Sequence, residues 1–131
     1  MAYEENLRSI SLDADASIGV YTGVPGQPGS LSPNGAFQYR MLKLTAKNTV
    51  GLCTAAGDAV IGVLQNKPQR PGQAATVGYE GVTNVTAGAT LAVGDLLVPD
   101  ATGRGVPGAA GRLRALAPAA VGELVPAMFA I

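Results

Sequence analysis

The sequence contains no histidine, so imidazole acid–base catalysis and imidazole metal ligation have no residue to run on. Carboxylates occur in pairs: Glu4 with Glu5, Asp13 with Asp15, and Asp95 with Asp100. Asp95 and Asp100 stand near enough in sequence to share a hard cation. Each also adjoins turn glycine, in Gly94-Asp95 and in Asp100-Ala101-Thr102-Gly103, where capping a turn is the simpler role. The lone Cys53 has no partner for an internal disulfide and no imidazole to activate it. In the run Val50-Gly51-Leu52-Cys53-Thr54 it reads as a small buried hydrophobe. No glycine-rich turn is followed by Lys-Ser/Thr at the head of a helix, so no phosphate loop is present. A Ser–Lys hydrolase needs a convergent pair that no spacing announces. The expectation is a protein that is not an enzyme, with no catalytic residue, no metal and no cofactor.

The elements around these residues are short and extended. Glycine accounts for 18 of 131 residues and proline for 9, so turns are frequent and long helices are not expected. Only 14% of residues are charged, against a usual value of about 25%. Nine basic and nine acidic residues cancel, which argues against nucleic-acid binding driven by phosphate neutralisation. No apolar stretch approaches the ~20 residues of a membrane span. The first residues, Met1-Ala2-Tyr3-Glu4-Glu5-Asn6, are acidic where a secretory signal is basic, so synthesis and folding in a cytoplasm are expected. Apolar content comes from Ala and Val more than from aromatics. It reads equally as ordinary surface or as surface that meets a partner protein.

Residues 59–100 organise the chain. Residues 59–64 form an apolar run that stops at Gln65-Asn66-Lys67-Pro68. In 74–80, Ala75, Val77 and Tyr79 alternate with Thr76, Gly78 and Glu80, the period of a strand with one buried face. Residues 82–86, 90–93 and 96–99 give further strand-sized runs, separated by Gly81, Ala87-Gly88-Ala89 and Gly94-Asp95. Before this stretch, residues 36–46 read as one long strand with two mixed faces, and 50–53 return as its hairpin partner. After it, residues 112–117 and 124–131 read as strands. Pro126 assigns the last run to an edge or a bulge. The fold class expected is mostly β: a small barrel or sandwich of short strands with Gly/Pro-rich turns, little helix and an extended N-terminal arm.

Three regions follow. Residues 1–22 read as an arm, with a strand-like piece at 7–12 and a second extended run at 17–21. Residues 23–35 carry three Pro and four Gly and read as a tethering loop. Residues 36–131 form the β-rich domain, which should stay folded without the arm.

The ordered series Ile61-Gly62-Val63-Leu64, Ala75-Thr76-Val77, Gly81-Val82, Ala87-Gly88-Ala89, Gly94-Asp95, Asp100, Gly103 and Val121-Gly122-Glu123-Leu124-Val125 resembles a family of tailed-phage capsid cement, or head decoration, proteins. The resemblance covers residues 58–131, and lambda-type decoration proteins are its distant comparison. It implies a small β-rich virion protein on the exterior of an expanded phage head. It also implies assembly as a homotrimer and an N-terminal arm that binds the major capsid protein. That arm would be Tyr3, Leu7, Arg8, Ile10 and Leu12, in a strand that extends a capsid sheet by backbone hydrogen bonds. The alternatives are a β-rich fibre or adhesion module on a phage or cell surface and, less favoured, a small hydrolase.

Overall fold

The computed structural model describes residues 7–18, 37–68 and 72–129. Every regular element among them is a strand, as a chain rich in β-branched runs and turn glycines should give. The first five strands are β1 (Arg8–Ala14), β2 (Met41–Ala46), β3 (Thr49–Leu52), β4 (Gly62–Leu64) and β5 (Ala74–Glu80). They close into a barrel in the order β1-β3-β2-β4-β5. The other five are β6 (Val82–Thr86), β7 (Leu96–Pro99), β8 (Gly105–Pro107), β9 (Leu113–Ala115) and β10 (Leu124–Phe129). They form a second sheet in the order β6-β10-β9-β7-β8. A single parallel bridge between Ala87 and Gly105 ties the two ends of that sheet together.

Two apolar clusters hold the molecule. One fills the barrel, with Ala14, Ile18, Leu42, Val50, Leu52, Leu64, Ala75 and Val77. The other joins barrel to sheet: Met41, Cys53, Val60 and Val63 pack with Val85, Leu97, Leu113, Val125 and their neighbours. Adjacent residues of one strand therefore serve different cores, Leu42 inside the barrel and Met41 at the junction. The start of β2 is therefore covered on both sides, at Met41 and Leu42, while Leu44, Thr45 and Ala46 stay exposed.

Several expectations are corrected. The long strand at 36–46 starts only at Met41, because Phe37–Tyr39 turn and Tyr39 takes a φ of 65°. Residues 59–64 shorten to β4. Residues 90–93 make no strand, only an isolated bridge from Leu91 to Ala119. Pro126 lies in β10, which is a central strand between β6 and β9. It is tolerated because its side of the ladder lies beyond the end of β9. The N–H of Leu116 donates to the Pro126 carbonyl at 2.8 Å, and paired β9 residues begin opposite Ala127. The missing proline donor therefore interrupts no paired strand.

The N-terminal strand is the largest correction. β1 is not separate from the β-rich domain; it closes the barrel. It pairs antiparallel with β5 from Arg8 to Asp13 and parallel with β3 at Asp13 and Ala14. The Asp15 carboxylate locks this end by accepting from the Ser17 N–H at 2.8 Å and the Thr45 hydroxyl at 2.9 Å. Removing residues 2–12 would take away most of a barrel strand. The tether region 23–35 and Tyr3 lie outside the described residues.

Three turns share one hydrogen-bond pattern. In Ala55-Ala56-Gly57-Asp58, Ala92-Val93-Gly94-Asp95 and Ala120-Val121-Gly122-Glu123, the last residue's N–H donates to the first residue's carbonyl, at 3.1, 3.2 and 3.1 Å. The last residue's carboxylate accepts the first residue's N–H in return, at 3.1, 2.8 and 2.6 Å. Asp100 does similar work for the β7–β8 turn. It accepts from the N–H groups of Thr102 and Arg104, both at 2.9 Å, and from Arg104 Nε at 2.9 Å. Gly103 supplies the left-handed residue of that turn, with φ 79°.

The Asp58 carboxyl is held below its ordinary range by the Thr54 N–H and by Lys43. Burial pushes Asp100 up, but the N–H groups of Thr102 and Arg104 and the Arg104 guanidinium outweigh it, leaving it low. A folded-state value below the unfolded one adds stability above the unfolded value, and that stability is lost as pH falls through the folded one. The urea midpoint should therefore drop as pH is lowered from neutral into and below the usual carboxylate range. Asp58→Asn should flatten that acid limb. Asp100→Ala, which deletes charge-assisted hydrogen bonds to a side chain only 18% exposed, should cost on the order of 1–3 kcal/mol at neutral pH. Urea unfolding from pH 3 to 7 checks both.

Candidate functional site

The candidate site begins with the edge of β1. In an antiparallel pair, successive residues aim their N–H and C=O groups to opposite sides of the strand. The Ala14 N–H donates to Gln73 across the β5 side at 2.9 Å, and the Asp13 N–H donates to Asn48 on the β3 side at 2.8 Å. Residues 10 and 12 therefore face β5 with their backbone groups, while Ser9 and Ser11 face the β3 side. Yet β3 meets β1 only at Asp13 and Ala14. Beyond that point the N–H and C=O groups of Ser9 and Ser11 face an open edge, with no strand opposite among the described residues.

Beside this edge lies an apolar groove of about 540 Å³, lined by Ile10, Leu12, Leu44, Ile61, Val77 and Tyr79, with Lys47 and Asn48 at one end. It is the mouth of the barrel. β1 and β5 run past the turn of the β2–β3 hairpin, so apolar side chains at this end of the barrel stay uncovered. Ile10 is 46% exposed and Leu44 56%. At the rim, Arg8 and Glu80 approach to 3.9 Å with both side chains largely solvated, so their pairing contributes little. Lys47 has no ion-pair partner among the described residues.

A second apolar surface covers the outer face of the other sheet. Leu124, Pro126 and Met128 share that face of β10, and Leu116 stands opposite Pro126. Leu116, Leu124 and Met128 are each two-fifths exposed or more, and Val121 in the adjoining turn is 57% exposed.

The remaining candidates for chemistry are used structurally. Asp95 and Asp100 cap separate turns. Among the described residues, no group of three or more His, Cys, Asp or Glu side chains is placed to hold a metal ion. No described helix is long and apolar enough to cross a membrane. Arg40 stacks over Phe37 at 4.9 Å and donates to the Thr102 carbonyl at 3.1 Å, pinning the β7–β8 turn to the barrel. Cys53 is fully buried in the junction core. Burial, with Asp58 nearby, pushes its thiol up to about 12.

Of the five predicted arm residues, Tyr3 lies outside the described residues. Leu7 packs near Gly78 on β5, and Arg8, Ile10 and Leu12 lie on β1. Ile10 and Leu12 reach the groove and Arg8 its rim. Sequence reading missed Leu44, Ile61, Tyr79 and Lys47, which belong to other strands and turns. Tyr79 and Val77 do carry a signal, since both fall on the apolar face read in residues 74–80.

The arrangement defines a class: an all-β protein of a closed barrel joined to a second sheet, with apolar surfaces and an open strand edge. No family model and no curated protein matches the chain. Among solved structures, the chain is similar in fold to the N base of the head fiber gp8.5 of bacteriophage phi29, with a TM-score of 0.53 and 20% identity. The match covers 93% of this chain and 94% of that one.

A thiol reagent offers a direct check on the junction core. Cys53 should stay unmodified in the native protein at pH 8 and react fully in denaturant. Rapid native labelling, followed by mass spectrometry, would show that the junction opens.

Proposed function

We propose that this chain is a structural protein of a phage head, that it binds the outer surface of the capsid, and that it cements the expanded shell. It does so as a homotrimer on the virion exterior, contacting the major capsid protein through the β1 end of the barrel and acting by binding alone. Synthesis in the host cytoplasm goes with that role. The observation that carries the reading is the likeness of fold, along nearly the whole of both chains, to the base of a phage head fiber. The ordered motif series of residues 58–131 supports it independently.

The surfaces suit such a role. A cement protein must bury apolar area against its neighbours while remaining rigid itself. The face of Leu116, Leu124 and Met128 is available for contact between copies, and a formal charge of zero leaves copies little mutual repulsion. The mouth of the barrel offers a separate surface for the shell. Three weak contacts within one trimer reinforce each other through effective concentration.

A second reading is favoured by what the structural neighbour is: the chain serves as the base of a fibre that projects from the head. One image separates the two. Electron cryomicroscopy of the particle should show clusters of three copies seated on the outer shell, with density that ends at the size of this chain. Density continuing outward as a stalk favours the fibre base. Heads bare of the protein overturn both.

A further inference from the structure

We infer that residues 85–99 and 113–127 are two copies of one unit, paired with each other inside a single chain about a two-fold axis at the Leu91–Ala119 bridge. One copy carries an insertion, β8, that fastens the sheet to the barrel. The inference rests on the fold alone and stands apart from the head-binding reading.

The sequence supplies the first argument. Ala92-Val93-Gly94-Asp95-Leu96 returns as Ala120-Val121-Gly122-Glu123-Leu124, and Ala87 and Ala89 return as Ala115 and Ala117, each 28 positions on. Gly94 and Gly122 both take a φ of 87°. The hydrogen bonds supply the second. The Gly94 N–H donates to the Ala115 carbonyl and the Ala115 N–H to the Asp95 carbonyl, both at 2.8 Å. Exchanging each residue for its twin gives two further bonds that the structure also contains at 2.8 Å. The Gly122 N–H donates to the Ala87 carbonyl and the Ala87 N–H to the Glu123 carbonyl.

The ladders exchange in the same way. On one seam Leu96 pairs with Arg114 and Leu97 with Leu113. On the other, Leu124 pairs with Thr86 and Val125 with Val85. On the axis, Leu91 and Ala119 each donate to the other's carbonyl, at 2.8 and 3.2 Å. Twin side chains also share one core, Val85 with Leu113 and Leu97 with Val125. Turn chemistry alone does not produce this. The third acidic turn, at 55–58, has the same internal bonds, yet Gly57 lacks the left-handed φ of Gly94 and Gly122.

The symmetry breaks at one place. Ala115 pairs directly with Ala127 in the β9–β10 hairpin. Their twins, Ala87 and Pro99, each pair with Gly105 instead, so β8 lies between them. The same insertion carries the Gly103 carbonyl that accepts the Met41 N–H and the Thr102 carbonyl that accepts from Arg40. β8 therefore parts one end of a symmetric sheet and seats the barrel there. At the other end the twins of Gly88 and Asp100, which are Leu116 and Met128, stay exposed.

The test uses two sets of substitutions in the full-length protein, matched in size change within the one junction core. The twin set is Val85→Leu and Val125→Leu with Leu97→Val and Leu113→Val. It gives each seam the pair that its twin already accommodates. The control set keeps Leu97→Val and Leu113→Val but places the two larger side chains by Val60→Leu and Val63→Leu. The twin set should unfold near the wild-type urea midpoint, and the control about 1 M or more below it. In the wild type, the amides of Ala87 and Ala115, and those of Gly94 and Gly122, should show protection within about ten-fold of each other, because equivalent seams open together.

A twin set that fails to fold while the control folds, or that is no more stable than a folded control, overturns the duplication. Twin amides whose protection differs by more than about ten-fold overturn it as well. If neither set folds, the wild-type amides decide.

Discussion

The structure depends on the antiparallel pairing of β1 with β5. Those two strands lie more than sixty positions apart at every paired residue, from Arg8 with Glu80 to Asp13 with Ala74, so the pairing is costly in chain entropy and slow to find. It is nonetheless what turns a four-stranded sheet into a barrel. Without it, Val77, Ala75 and Leu64 would lose the cover of Leu12 and Ala14, and the barrel cluster would open on one side. The opposite seam, between β1 and β3, is only two residues long. A barrel closed firmly on one side of a strand and briefly on the other leaves a notch, and the groove is that notch.

The second dependency is the shared core. Cys53, Met41, Val60 and Val63 leave the barrel's interior and enter the packing of the second sheet. The two sheets therefore do not bury separate cores beside each other. The β7–β8 turn reinforces the joint: Gly103 accepts from the Met41 N–H at 2.8 Å through its carbonyl, and Arg40 reaches the same turn. Because Gly103 lies close against the Met41 backbone, a side chain there would meet both a strained φ and the barrel wall. Capping by Asp100 and contact between the sheets are thus one local arrangement.

The parts legible in the sequence are those governed by local chemistry. β5, β6 and β7 fall at the residues where alternation and flanking glycine place them, and the Asp100 turn has the cap and the left-handed glycine that its composition calls for. The parts not legible are set at a distance. Nothing within residues 7–14 says that they will close a barrel, because the partner strand begins at Ala74. Tyr39 ends a run that looks continuous by taking a left-handed conformation that its residue type does not advertise. Pro126 suggests an edge only until the length of β9 is known. The Ala-x-Gly-Asp/Glu turn is a local signal too: it occurs three times, and each copy folds the acidic side chain back onto the first residue's N–H. The groove shows the same division, since Ile10 and Leu12 are visible as apolar positions while Leu44, Ile61 and Lys47 join them only through the topology.

Open strand edges are hazardous for a protein that must stay dispersed until it reaches its place, and natural sheets usually blunt them. Here the second sheet follows that rule. Its end strands are linked through Ala87 and Gly105, and the Thr86 N–H on the flank of β6 is taken by the Tyr39 carbonyl at 2.9 Å. Among the described residues, the barrel does not follow it at Ser9 and Ser11, which have no strand opposite on the β3 side. Instead the chain ends the seam at Asn48, whose left-handed φ of 53° turns the backbone away. The small polar side chains of Ser9 and Ser11 lower the hazard without filling the edge. Among the described residues, one barrel edge is thus left open while the ends of the other sheet are tied off, because the β1–β3 seam stops where the β2–β3 hairpin turns.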